Sequence, residues 1–210
     1  MYGGVGLGKT HLMHAIGNRV YENDKTKKIL YISCSDFTDE YVDSLLKNNG
    51  INGISAFKTK YRSLDLFLLD DVQTLVGKKE TQNEFFNIFN TLVNNNKQIV
   101  MCSDRPPSEI KDITDRLASR MASGMMVDIK EPDFETRKAI LSKKAENEKI
   151  AIPNEAIDYI ASQSHESIRA MEGLLNKVAY YSKVSNRNIT IELAQEAIED
   201  NIRSSKPVLN

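Results

Sequence analysis

This chain has very little cysteine, no excess of charge of either sign, no membrane-length hydrophobic run and no internal repeat. Its two cysteines, Cys34 and Cys102, stand far apart and without metal-ligand spacing. That excludes a disulfide framework and a cysteine-based metal site, and it reads as two reduced core thiols of a cytosolic protein. Lysine and arginine total 28 against 29 aspartates and glutamates, a formal net charge of −1. A wholesale polyanion-binding coat is therefore excluded, while a local basic patch is not. No secretory, transit or transmembrane segment is visible. Without a fixed-period repeat or low-complexity tract, a solenoid is excluded as well. What is present is 40% hydrophobic residues over 210 positions. That suits one α/β domain, or a domain with a small lid.

One shortage is positional. Residues 3–10 read Gly-Gly-Val-Gly-Leu-Gly-Lys-Thr, the phosphate-binding pattern G-x-x-x-x-G-K-[ST], and only Met1 and Tyr2 precede it. Such a loop normally follows a buried strand and opens a helix. The two leading residues supply only a strand tail, so the expectation is that the natural start lies upstream. With an inner strand incomplete, backbone groups beside it would go unsatisfied. The chain alone is then expected to be poorly soluble or molten, and a sharp cooperative melt would refute this.

Hydrophobic spacing predicts helices over 10–21, 36–47, 54–62, 82–94 and 112–121, with apolar strands over 29–33, 64–69, 98–102 and 125–129. Asn48-Asn49-Gly50 breaks the second helix. Strands alternating with helices imply a parallel sheet covered on both faces. After Glu131-Pro132-Asp133 no strand pattern is convincing; 134–148, 154–163, 167–183 and 191–202 read as helices and 204–207 as a linker. The expected plan is an α/β base over 1–131, a helical lid over 132–203, and a linker over 204–210.

In the glycine-rich loop, Gly3, Gly4, Val5, Gly6, Leu7 and Gly8 turn backbone N–H groups toward a phosphate, and the helix entered through Lys9, Thr10 and His11 adds its dipole. Lys9 suits the β- and γ-phosphates and Thr10 a magnesium ion. The apolar run 66–69 delivers Asp70-Asp71 to a strand's C-terminal edge, where open α/β sheets bind ligands. Asp70 is placed to act on magnesium. Asp71 stands where fast ATPases of the AAA+ class carry glutamate. Its carboxylate is set back by about one C–C bond, ~1.5 Å, a scale to which general-base geometry is sensitive. Slow hydrolysis is the expectation. Asp104, after the next strand, contacts the γ-phosphate, orients water or simply makes a turn before Pro106-Pro107. Arg116 and Arg120 share a helix face, which is either surface charge or an arginine finger reaching a neighbouring subunit. Arg169, in a predicted lid helix, is either surface charge or a γ-phosphate contact.

Taken together, these segments resemble the AAA+ domain of the DnaA family of bacterial replication initiators. The resemblance is carried by residues 3–17, by Leu-Asp-Asp-Val-Gln (69–73), by Asn-Lys-Gln-Ile-Val (96–100), by Ser-Asp-Arg-Pro-Pro (103–107), by Asp-Arg-Leu-Ala-Ser-Arg (115–120) and by Ser-Ile-Arg-Ala-Met-Glu-Gly (167–173), in colinear order over essentially the whole chain. It implies a P-loop AAA+ parallel-sheet base followed by a small all-α lid, with ATP or ADP and magnesium bound. It implies Arg120 as a finger acting in trans, Arg116 as its accessory, and Arg169 as the lid's nucleotide sensor. It further implies an ATP-dependent helical oligomer on origin DNA, with Val42 and Lys78 touching single strands, a replicative helicase or loader as partner through other regions, and a cytoplasmic location. The family's helix-turn-helix reader of double-stranded DNA falls beyond the last residue. A helicase-loader or regulatory paralogue is the alternative. Departures from the family pattern are Met121-Ala122-Ser123 after the finger, Ala170 and Met171 in the sensor, Thr74 after the glutamine, and Glu80 where some members carry a basic residue.

Overall fold

The computed structural model describes residues 1–46, 51–163 and 167–204. The expected break at Asn48-Asn49-Gly50, and the linker beyond Ser204, lie outside the described residues. The elements run α1 (Lys9–Asn23), β1 (Ile29–Ser33), α2 (Cys34–Leu46), α3 (Ile51–Arg62), β2 (Leu66–Asp70), α4 (Lys79–Asn94), β3 (Gln98–Met101), α5 (Asp115–Ala122), α6 (Phe134–Asn147), α7 (Asn154–Gln163), α8 (Ile168–Ser185) and α9 (Ile191–Ser204). Single 3-10 turns cover Val72–Leu75 and Pro107–Glu109.

The chain divides into two compact units. The first holds Met1–Gly4 and Gly8–Ile129; the second holds Lys130 onward together with Val5–Leu7. In the first, a parallel sheet has the order β1-β2-β3, pairing Ser33 with Asp70 and Leu69 with Met101. β2 is buried along its whole length, which is why its sequence is an unbroken apolar run rather than an alternating one. On one side of the sheet Phe37, Tyr61, Phe67, Phe85 and Leu92 form the main core; on the other, Met13, Leu66, Leu68 and Cys102 pack under α1. Gly17 lets α1 approach, because a Cβ there would come within 3.0 Å of Leu68 Cδ1.

The expected strand over 125–129 is corrected. Among the described residues that segment makes one isolated parallel bridge, Asp128 to Tyr2. Both of its bonds to the tail fall on Tyr2, and one bridge does not repeat as a ladder must. Tyr2 also bridges Ser103, and the tail's backbone is bonded on both sides: Ser103 N–H donates to Met1 O, Tyr2 N–H to Val127 O and Ile129 N–H to Tyr2 O. The helix expected from residue 112 starts instead at Asp115, because Asp112 takes a left-handed conformation, φ 57°, that a helix cannot include.

In the second unit α6–α9 close around Leu141, Ile157, Ile160, Met171, Leu175, Val178 and Leu193. Asp133 caps α6 by accepting from Thr136 N–H at 2.8 Å, and Ser167 caps α8 by accepting from Ala170 N–H at 3.0 Å. Among the described residues, no helix is long and apolar enough to cross a membrane.

Candidate nucleotide site

The glycine-rich turn leaves the Met1–Tyr2 tail and enters α1 through Gly8, whose φ of 85° is left-handed and favours a residue without Cβ. Gly3 is more constrained: at φ 152° an added Cβ would lie 2.3 Å from Ile129 O. The turn folds back over Lys9. The lysine ammonium is buried and donates to Gly3 O at 2.9 Å and Gly4 O at 2.8 Å, so its charge is met by carbonyl oxygens rather than stranded.

One residue on, the Thr10 hydroxyl donates to Asp70 Oδ2 at 2.6 Å. Asp70, 3% exposed at the end of β2, is also held by Tyr31 Oη donating to Oδ2 at 3.0 Å and by Asp71 N–H donating to Oδ1 at 2.9 Å. The Tyr31 ring packs against His14 of α1, centroids 4.2 Å apart. Burial, then the Asp70 charge and hydrogen bond, push the Tyr31 hydroxyl up to about 12. It therefore remains a proton donor to the carboxylate at any ordinary pH. Cys102 lies under the same turn and is likewise pushed up to about 12, by burial first and the Asp70 charge second.

A hydroxyl and a carboxylate meeting at 2.6 Å form a hard-oxygen pair. Magnesium favours such donors, takes only one or two from a protein and fills its remaining positions with water and phosphate. Among the described residues no group of three or more His, Cys, Asp or Glu is placed to hold a metal ion, which does not conflict with that sparse mode. The residues present fit magnesium at Thr10 and Asp70.

Asp71 is exposed and adopts φ 55°, a left-handed conformation that aspartate tolerates better than most residues. Its Oδ1 accepts from Gln73 Nε2 at 2.9 Å, and Gln73 Oε1 accepts from Asp104 N–H at 3.3 Å. Asp104's carboxylate is itself gripped by Arg105 through Nε and Nη2, each at 2.8 Å. That hydrogen-bonded pair, rather than the more distant Lys9, mainly holds the Asp104 carboxyl below the usual aspartate range.

The remaining expected residues are more dispersed. Arg116 is drawn onto α4, with Nη2 donating to Asn83 Oδ1 and the guanidinium 4.8 Å from the Phe86 ring centroid. Arg120 is exposed on the rim of an apolar groove of about 520 Å3 lined by Phe89, Met101, Met121 and Met125. Arg169 belongs to the second unit, where its N–H donates to Gly6 O at 3.3 Å. Val42 is 42% exposed on α2. Lys78 stands before α4, with its charge felt at Cys34. His11 is an exposed position of α1.

Thus Gly3, Gly4, Gly8, Lys9, Thr10, Asp70, Asp71 and Asp104 belong to the same unit, and hydrogen bonds tie Lys9 to the turn and Thr10 to Asp70. Sequence reasoning missed Tyr31, Gln73 and Arg105. The available signal for Gln73 was its place two residues after Asp71. For Tyr31 it was a lone phenol inside an otherwise apolar strand.

A family profile described as the bacterial DnaA ATPase domain matches residues 1–128. Among solved structures, domain III of the Thermotoga maritima replication initiation protein DnaA is 38% identical, with a TM-score of 0.87, over 95% of this chain and 82% of that one. An AMPPCP-bound DnaA from Aquifex aeolicus is 37% identical, with a TM-score of 0.77, over 97% of this chain and 59% of that one. A replication initiator DnaA bound to AMPPCP and single-stranded DNA is 41% identical, with a TM-score of 0.73, over 83% of this chain and 52% of that one. This chain therefore spans little more than half the length of the last two. The α/β arrangement is that of a P-loop AAA+ domain.

Proposed function

The chain belongs to the bacterial DnaA ATPase-domain family, and from that membership we propose that it is an ATP-binding, slowly hydrolysing switch for assembly on origin DNA. The observation that carries the reading is the 2.6 Å hydrogen bond joining Thr10 to Asp70 beside the carbonyl-held Lys9. The residues of 3–10 would receive the phosphates of ATP or ADP, with Lys9 trading its carbonyl partners for phosphate oxygens. Thr10 and Asp70 would hold magnesium, which when bound neutralises charge on the phosphates.

Asp71 orients the attacking water and accepts its proton while the water oxygen bonds to the γ-phosphorus. The bond to ADP breaks and its electron pair goes to the β-phosphate oxygen. The short aspartate makes this step slow. Asp104 acts at the γ-phosphate or on the water. Arg120 serves a neighbouring subunit's nucleotide with Arg116 as accessory, and Arg169 reads the nucleotide from the helical lid, residues 132–203. The relatives' bound AMPPCP and single-stranded DNA support extending both ligand classes to this chain, with Val42 and Lys78 at the strand. Helical self-assembly, a helicase or loader partner and a cytoplasmic setting belong to the same reading.

Fluorescent nucleotide binding tests it. The protein should bind both ATP and ADP analogues, and Lys9→Ala should weaken binding by about tenfold or more, a loss of roughly 1.4 kcal/mol or greater. Equal affinity in the two proteins would remove the site from the account.

A further inference from the structure

Asp71 follows β2 and Asp104 follows β3, and a single side chain touches both segments. Gln73 Nε2 donates to Asp71 Oδ1 at 2.9 Å while Oε1 accepts from Asp104 N–H at 3.3 Å. A carboxylate only accepts and a backbone N–H only donates, so the two partners fix which end of the amide faces which. Glutamate in its place would lack the donor and lysine the acceptor. The backbone supports the same connection: Val72 N–H donates to Cys102 O at 2.9 Å, and Asp71 O accepts from Thr74 N–H at 2.9 Å. Asp71 itself is exposed. Without a partner its short side chain would sample several rotamers and its carboxylate several positions.

We infer that Gln73 is a positioning residue for hydrolysis, holding the Asp71 carboxylate in one orientation and tying that orientation to the turn that carries Asp104. The inference rests on the proposed role of Asp71 toward water. With Oδ1 occupied by the amide N–H, Oδ2 is the oxygen left for a water proton. A shift of the Asp104 turn pulls on Gln73 Oε1 and is transmitted to Asp71 through the rigid amide plane. Gln73 thereby links the nucleotide-facing turn to the water-facing carboxylate without touching either ligand.

Two substitutions separate positioning from a merely structural role. Gln73→Glu keeps the shape and the acceptor for Asp104 N–H but sets a like charge against Asp71. Gln73→Ala removes both hydrogen bonds and adds no charge. A positioning role predicts single-turnover hydrolysis in the order wild type, then Gln73→Ala, then Gln73→Glu, the last slower by about tenfold or more. The affinity for a fluorescent ATP analogue should stay within about twofold in all three, since the lost interaction bears on the reaction step. A merely structural role predicts that affinity falls alongside rate in both variants. That pattern, or wild-type rates in both variants, would overturn the inference. A wild-type protein that binds no nucleotide is a different result: it removes the site reading and this inference with it.

Discussion

Asp70 accepts from three donors, Thr10, Tyr31 and the N–H of Asp71. Tyr31→Phe removes one of them and leaves a buried carboxylate oxygen with fewer partners. The expected cost is about 1–2 kcal/mol of unfolding free energy, and denaturant titration measures it; no change would mean the phenol contributes nothing to holding Asp70. The pH behaviour has a definite sign. Tyr31 is raised to about 12 in the folded chain, chiefly by burial, from an ordinary value of about 10. Its contribution is complete below about 10 and is lost as pH rises toward about 12. Spectrophotometric titration should show several tyrosines ionising late, Tyr61 among them because burial raises it further still; Tyr31→Phe should remove one tyrosine's amplitude from the part of that late phase near pH 12 and leave the rest. Asp71→Glu should raise the hydrolysis rate by restoring reach toward water; an unchanged or lower rate counts against the geometric argument. Lys9, Thr10 and Asp70 were legible in the sequence because a spacing rule encodes them. Tyr31 and Gln73 left only faint local signals, because their defining contacts join segments 39 and 31 residues apart.

Element identities were readable wherever burial imposed a period. β2 announced itself through five consecutive buried residues, and α4 through Phe85, Ile88, Phe89 and Leu92 on one face. Boundaries were less readable where backbone geometry decided them, as at Asp112, whose left-handed φ delays α5 to Asp115. The segment 125–129 has a strand's composition but bridges at Asp128 to Tyr2 alone. Composition cannot reveal the extent of a partner. Caps carry a prediction at this scale. Asp133 accepts from Thr136 N–H at the start of α6; the Thr136 side chain first and this backbone bond second hold its carboxyl below the usual range. Asp133→Ala should lower the denaturation midpoint; Asp133→Ser should recover most of the loss. Failure of the serine variant to recover would show that the cap bond is not the source of the stability.

At the scale of the molecule, two separate cores divide the chain, one around the sheet and one among α6–α9. The near-zero net charge leaves the surface without a broad field for nucleic acid, so any DNA contact must be local. Both thiols are buried and pushed up to about 12, mainly by that burial. Native protein at neutral pH should therefore resist thiol reagents until unfolded; rapid labelling would contradict the burial of both. The central claim is that a nucleotide held by Lys9, Thr10 and Asp70 decides whether copies assemble on DNA. Sedimentation of the intact protein with single-stranded DNA, in ATP, in ADP and without nucleotide, tests it most directly. The account predicts large assemblies in ATP alone, lost in Arg120→Ala; equal assembly under all three conditions would contradict it.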